Sequence, residues 1–202
     1  VVACGALNSA LLLLRSACDR HPDGLANSSG VVGRHYMRHN NGAFMAISRQ
    51  RNPTKFQKTL ALNDFYFGAP DFPYPLGHIQ MLGKSHGETI AAEAGSWARV
   101  MPEIPVDTMA HHAVDFWLTS EDLPDPNNRI TYDRDRRVIL DLTENNMEGH
   151  RRLQAKLKEM LDSLDLHPHL LPRALYLGKN IPIAGTAHHA GTIRFGRDPK
   201  AS

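Results

Sequence analysis

The sequence predicts an α/β piece at its start followed by an α+β domain with a mostly antiparallel sheet. Three observations carry that expectation. The apolar opening VVACGALNSALLLLRSACDR breaks at Gly5 and then repeats Leu7, Leu11, Leu14 and Cys18 at helical spacing. From Ala43 onward, short runs with alternating apolar residues are separated by Pro, Asn and Gly clusters, the texture of strands and turns. Near the end, Met147, Leu153, Leu157, Met160, Leu161 and Leu164 share one face of an amphipathic helix, with Lys156, Lys158 and Glu159 opposite.

In order along the chain, Val1 to Cys4 reads as a short buried strand, Gly5 as a tight turn and the following residues as a helix, half of an α/β unit. A buried parallel strand needs neighbours on both sides, and no adjacent segment supplies them, so its partners are expected outside this stretch. HPDGLANSSGVVGRHYMRHNNGA, with glycines at 24, 30, 33 and 42, is either disordered or a functional loop packed against something. AFMAISRQ, FQKTLALNDFYFG and LGHIQMLGK read as strands, the alternation being strongest in Phe65 and Phe67 and in Ile79 and Met81. HGETIAAEAGSWARVM has helical composition. HHAVDFWLTSEDLPDPNNRITYDRDRRVILDL offers three strands with turns at Pro124 to Asn128 and at Asp133 to Arg136, and Thr143 is placed to cap the helix that follows.

Composition narrows the function classes. The 202 residues, 42% hydrophobic and 22% charged, suit a soluble globular protein of one large or two small domains. With 23 basic and 21 acidic residues intermixed, no field of one sign recruits nucleic acid or an anionic membrane. The apolar run around Ala10 to Leu14 is far shorter than the ~20 residues of a membrane span. It also lacks the basic lead of a signal peptide, and a chain beginning with Val looks cut. Cys4 and Cys18, both in apolar surroundings, are expected as small buried thiols more than as a disulfide or zinc ligands, which favours a reducing, cytoplasmic compartment.

Twelve histidines raise a metal hypothesis, tested best at His111-His112, His167 with His169, and His188-His189. Adjacent strand residues point to opposite faces, so a histidine pair chelates poorly, and no carboxylate or cysteine stands at ligand spacing beside His167 and His169. Polar surface or hydrogen-bonded core histidines are the plainer reading, and no metal is expected. The Gly5 turn has two readings: close backbone approach to a cofactor, or tight packing; CGALNSAL is not G-x-G-x-x-G. HHAGTIRFG is denser, because Ala187, Ala190 and Gly191 leave room beside two imidazoles and Thr192 adds a hydroxyl. Histidine is the side chain best suited to exchange a proton near neutrality. Phe65, Phe67, Trp97, Phe116 and Trp117 could line a pocket, though aromatic residues in strands are more often core.

As a set, these residues resemble the glucose-methanol-choline (GMC) family of FAD-dependent oxidoreductases, over nearly the whole chain. VVACGALNSALLLLRSA is similar to the family's strand, turn and helix, with Ala10 in place of its usual Pro and Ala17 in place of its usual Gly. GLANSSGVVGRHYMRH resembles the loop after it in choline-dehydrogenase-like bacterial members, WLTSEDLPDPNNRITYDRD resembles their substrate-domain strands, and AHHAGTIRFGRDP resembles the family's His-x-x-Gly-Thr-x-Arg-x-Gly block. The resemblance implies pieces of an FAD-binding domain at 1–40, a substrate-binding domain at 41–175, and a return to the cofactor and active-site region at 176–202. It implies His188 as the catalytic histidine, Cys4, Gly5 and Ala6 as the turn approaching FAD, and His189 at the substrate pocket. The implied reaction oxidises the CH-OH group of a small alcohol, polyol or sugar to a carbonyl, with the hydride passing to flavin.

No nucleic acid, membrane span or metal enters that picture, and the alcohol, the electron acceptor and the oligomeric state stay open. No segment matches G-x-G-x-x-G, and the family's second catalytic His or Asn would fall past Ser202. The expectation is therefore an internal fragment that is inactive alone. The alternatives are a non-catalytic binding module that keeps the sheet, or a histidine-based metal protein.

Overall fold

A computed structural model describes residues 1–48, 50–56, 58–88, 105–164, 179–180 and 183–198. The chain forms two compact units, each assembled from separated stretches. The first comprises Val1–His39, Glu121–Met147 and Ile183–Ser202; the second comprises Asn40–Ser120 and Glu148–Pro182.

The second unit is a five-stranded sheet backed by a helix. Its strands are β1 (Asn40–Ile47), β2 (Ala61–Leu62), β3 (His78–Met81), β4 (Ala113–Ser120) and β7 (Lys179–Asn180), in the order β2-β3-β4-β1-β7. Every pairing is antiparallel. The longest ladder sets Phe44 opposite Phe116 and Gly42 opposite Leu118, so the period of two puts Phe44, Ala46, Phe116 and Leu118 on one face. That face receives Leu153, Leu157 and Leu161, spaced by four on the helix Met147–Ser163. Each such leucine, fully buried, contributes roughly 1.5–3 kcal/mol. His150, one turn earlier and buried, hydrogen-bonds through Nδ1 to Ser120 Oγ at 2.9 Å and lies over Gly42, where a Cβ would come within 2.9 Å of its Nε2. A short helix, α2 (Val106–His112), leads directly into β4; the Met147–Ser163 helix is α3.

Several sequence expectations change here. Of FQKTLALNDFYFG only Ala61–Leu62 pairs as strand, and Phe65 and Phe67 belong to a run of turns. The chain turns away directly after Leu62, where Tyr66 N–H donates to Asn63 O at 2.9 Å and Gly68 N–H to Phe65 O at 3.3 Å, so these donors serve turns and not a ladder. Phe67 is 84% exposed, Phe65 packs against the core and Phe116 is inside it. His111 and His112 end α2 rather than opening a strand. Thr143 does not cap α3: its N–H donates to Asn128 Oδ1 at 2.7 Å and its carbonyl accepts from Asn128 Nδ2 at 3.0 Å, which ties it to the turn before β5. Residues 89–101 of the helix expected over 86–101, Trp97 included, lie outside the described residues, as do His167 and His169.

The first unit holds α1 (Gly5–Arg15) and the antiparallel hairpin β5 (Arg129–Tyr132) with β6 (Val138–Asp141). Leu11 of α1, Tyr36 and Ile130 form its core, with Leu7, Tyr132, Leu140 and Leu142 against them. The expected turns at 124–128 and 133–136 close by Asn128 N–H to Asp125 O at 3.1 Å and Arg136 N–H to Asp133 O at 3.0 Å. Val1 to Cys4 is not a strand: Val1 and Val2 are exposed, and among the described residues no strand pairs with them. The cysteines are likewise exposed, Cys4 immediately before α1 and Cys18 in the turn after it, where its backbone pairs with His21.

Candidate active site

The segment Gly33–His39 is irregular, with left-handed residues at Gly33 and His35, yet isolated bridges at Arg34 and Met37 tie it in on two sides. Its backbone is held on one side by Ile130 N–H to Gly33 O at 2.7 Å and Tyr36 N–H to Asn128 O at 2.9 Å. On the other side Met37 and Ala190 exchange both backbone bonds at 3.0 Å, and Gly33 N–H donates to Thr192 O at 2.8 Å. The end of the glycine-rich sequence packs against the hairpin on one side and the histidine block on the other, which is order in place of the disorder its composition also allowed.

The register makes Gly191 obligatory. It sits at φ +87°, and a Cβ there would fall 1.8 Å from the carbonyl oxygen of His35. His39 and His188 each stand two residues from the Met37–Ala190 bridge, and their rings meet edge to face with centroids 5.3 Å apart and planes at 84°. His188 has φ +62°, a left-handed conformation uncommon for a non-glycine residue, and its side chain is exposed. Among the described residues no hydrogen bond engages its ring nitrogens. Burial holds the His39 imidazole below the ordinary histidine range, and the neighbouring His188 lowers it further.

His189 takes the opposite role. Half-buried, it hydrogen-bonds through Nδ1 to the hydroxyl of Tyr36, with the two rings 5.5 Å apart. Tyr36 is fully buried, and burial raises its phenol above the ordinary value. The position expected at a substrate pocket is thus occupied by an anchored ring, while its neighbour faces outward.

Thr192 connects the block to the amino terminus. Its buried hydroxyl donates to the carbonyl of Ala6 at 2.7 Å, across 186 positions of sequence. Cys4, Gly5 and Ala6 therefore lie in one unit with His188 and His189. The Cys4 N–H donates to Ser9 Oγ at 3.0 Å. Gly5 has φ +77°, and a Cβ on it would meet nothing within 4 Å, so the backbone at the head of α1 is open on that side. This open backbone fits the edge of a flat ring system; three residues make only a small part of a dinucleotide cradle. Among the described residues no three His, Cys, Asp or Glu side chains gather where an ion could bind.

Sequence reasoning missed Tyr36, Arg38 and His39. Their signal was present in RHYMRH, where five of six side chains are basic or aromatic, but the preceding glycines made the segment read as loop. Arg38 is buried and paired with Glu144, and its Nη1 donates to Thr186 Oγ1 at 3.1 Å.

No family model matches the chain. The chain is similar to the fructose dehydrogenase large subunit of Gluconobacter japonicus, 28% identical over 141 residues that cover 67% of this chain and 26% of that protein. It is also 28% identical over 145 residues, with the same shares covered, to the 2-methyl-1,2-propanediol dehydrogenase of Mycolicibacterium austroafricanum. A shorter stretch of 34 residues, 17% of this chain and 6% of the relative, is 65% identical to the paromamine 6'-oxidase of Streptomyces fradiae. The chain spans about a quarter of the length of the first two relatives. It is thus related to oxidoreductases, two of them named for a sugar and a diol.

Proposed function

We propose that the whole protein is an FAD-dependent oxidoreductase of the GMC type, oxidising the CH-OH group of a small alcohol, polyol or sugar, with His188 as its base. The observation that carries this reading is the 2.7 Å bond from Thr192 to Ala6, because it brings the outward-facing histidine and the open glycine turn into one unit. The relatedness to a sugar dehydrogenase and a diol dehydrogenase supports the substrate class.

Cys4, Gly5 and Ala6 are the residues of this chain that would hold FAD, by offering backbone unobstructed by a side chain at Gly5. Bound FAD would supply the acceptor for the hydride leaving the alcohol carbon. His188 takes the hydroxyl proton on a ring nitrogen, which is free to do so among the described residues, and holds it as imidazolium while the carbonyl forms. The edge of His39 orients that ring. His189 stays out of the chemistry, fixed by Tyr36.

The test is steady-state turnover of the flavin-loaded whole protein with a panel of polyols and sugars and an artificial electron acceptor. His188→Ala is expected to lower kcat by at least ~100-fold with flavin retained. A near-normal rate removes the base assignment, and a purified protein without flavin absorbance removes the cofactor.

A further inference from the structure

His188 sits at the middle of a five-residue span fixed at both ends from two consecutive residues. At one end Ala190 exchanges two backbone bonds with Met37. At the other, Thr186 accepts a hydrogen bond from the guanidinium of Arg38 at 3.1 Å. Between these anchors the chain takes the left-handed turn at His188.

Arg38 is an expensive way to make one such bond. Its side chain is only 4% exposed, a guanidinium does not shed its proton, and a buried cation needs an anion and satisfied donors. Glu144, itself 47% exposed, supplies the anion, and the Arg38 backbone N–H donates to Asp122 Oδ2 at 3.2 Å. Arg38 is thereby held by both backbone and side chain, and its Nη1 donates to the segment two residues before His188. A merely space-filling residue would not need a charge there. A flat, rigid fork does what a flexible ammonium would not, since it can hold Glu144 and Thr186 in one fixed geometry.

We propose that Arg38 is a positioning residue for His188: through Thr186 it sets the conformation of Thr186–Ala190 and so the direction in which the imidazole faces the substrate. The proposal rests on His188 being the base, and its test separates the two.

In the flavin-loaded whole protein, Arg38→Ala is expected to lower kcat by about 10- to 100-fold while leaving KM for the alcohol little changed, because misplacement of a base costs rate more than binding. Added guanidinium ion should restore part of the rate. Hydrogen exchange of the peptide covering Thr186–Ala190 should quicken. In a His188→Ala background the same substitution should cost little further activity. Unchanged kcat in flavin-loaded Arg38→Ala protein, or an equal loss with and without His188, overturns the proposal. If Arg38→Ala does not fold, Thr186→Val removes only the acceptor hydroxyl: faster exchange and a smaller loss of kcat support the proposal, and unchanged exchange overturns it. Should His188→Ala run at a near-normal rate, the base assignment fails alone, and the exchange measurement still decides whether Arg38 sets this segment.

Discussion

Gly191 shows how one missing side chain holds a site together. The His35 carbonyl occupies the space a Cβ would need, and the φ of +87° would strain any other residue. Gly191→Ala is expected to cost about 2 kcal/mol or more, from left-handed strain plus a backbone clash. Urea unfolding should show it as a lower midpoint at unchanged slope. The sequence marked Gly191 as small and next to two histidines, yet the reason it is small lies in His35, which is 156 positions away in the chain and invisible to local pattern. His188 and His189 were equally legible as a pair. Only the fold separates them, because Tyr36 claims one ring and leaves the other exposed.

At the level of elements, α3 was the most readable because its spacing of four needs no partner to be recognised. Leu157 is buried against the sheet, and Leu157→Ala is expected to lose 2–5 kcal/mol in chemical denaturation. The strands β1, β3 and β4 were legible but not their pairing, whereas the aromatic alternation of Phe65 and Phe67 misled, since period two without a ladder partner is only a pattern. The opening segment failed for the same reason: Val1 to Cys4 has strand composition and no strand beside it among the described residues. The contact of α1 with the histidine block could not be read at all. Thr192→Val keeps the shape and removes the hydroxyl donated to the Ala6 carbonyl, which keeps its helical partner in α1, and is expected to cost about 0.5–1.5 kcal/mol. Differential scanning calorimetry of the variant beside the parent protein checks it.

Across the whole molecule, acid tests the histidine loop. His35 and His39 are both held below the ordinary value of 6.5, chiefly by burial, so the unfolded chain binds their protons more readily than the native one. Their stabilising share is complete above pH 6.5 and is lost as pH falls through their native values. Asp115 and Asp122 act oppositely: burial raises both carboxyls, so acidification relieves a cost. The histidine share of stability thus falls between pH 7 and pH 5 while the carboxyl share rises, and His39→Gln should remove part of the falling share from the pH dependence of the thermal unfolding midpoint; an unchanged pH dependence excludes His39 as a contributor. The chain also passes from one unit to the other at residues 39–40, 120–121, 147–148 and 182–183. This threading has a consequence on the ribosome. At about 5–20 residues per second, the carbonyl of Ala6 waits roughly 10–40 s for the hydroxyl of Thr192 to be made. During that interval Ile183, which packs against the Leu11, Tyr36 and Ile130 core, is also still to be made, so this core is incomplete and open to chaperone capture or aggregation.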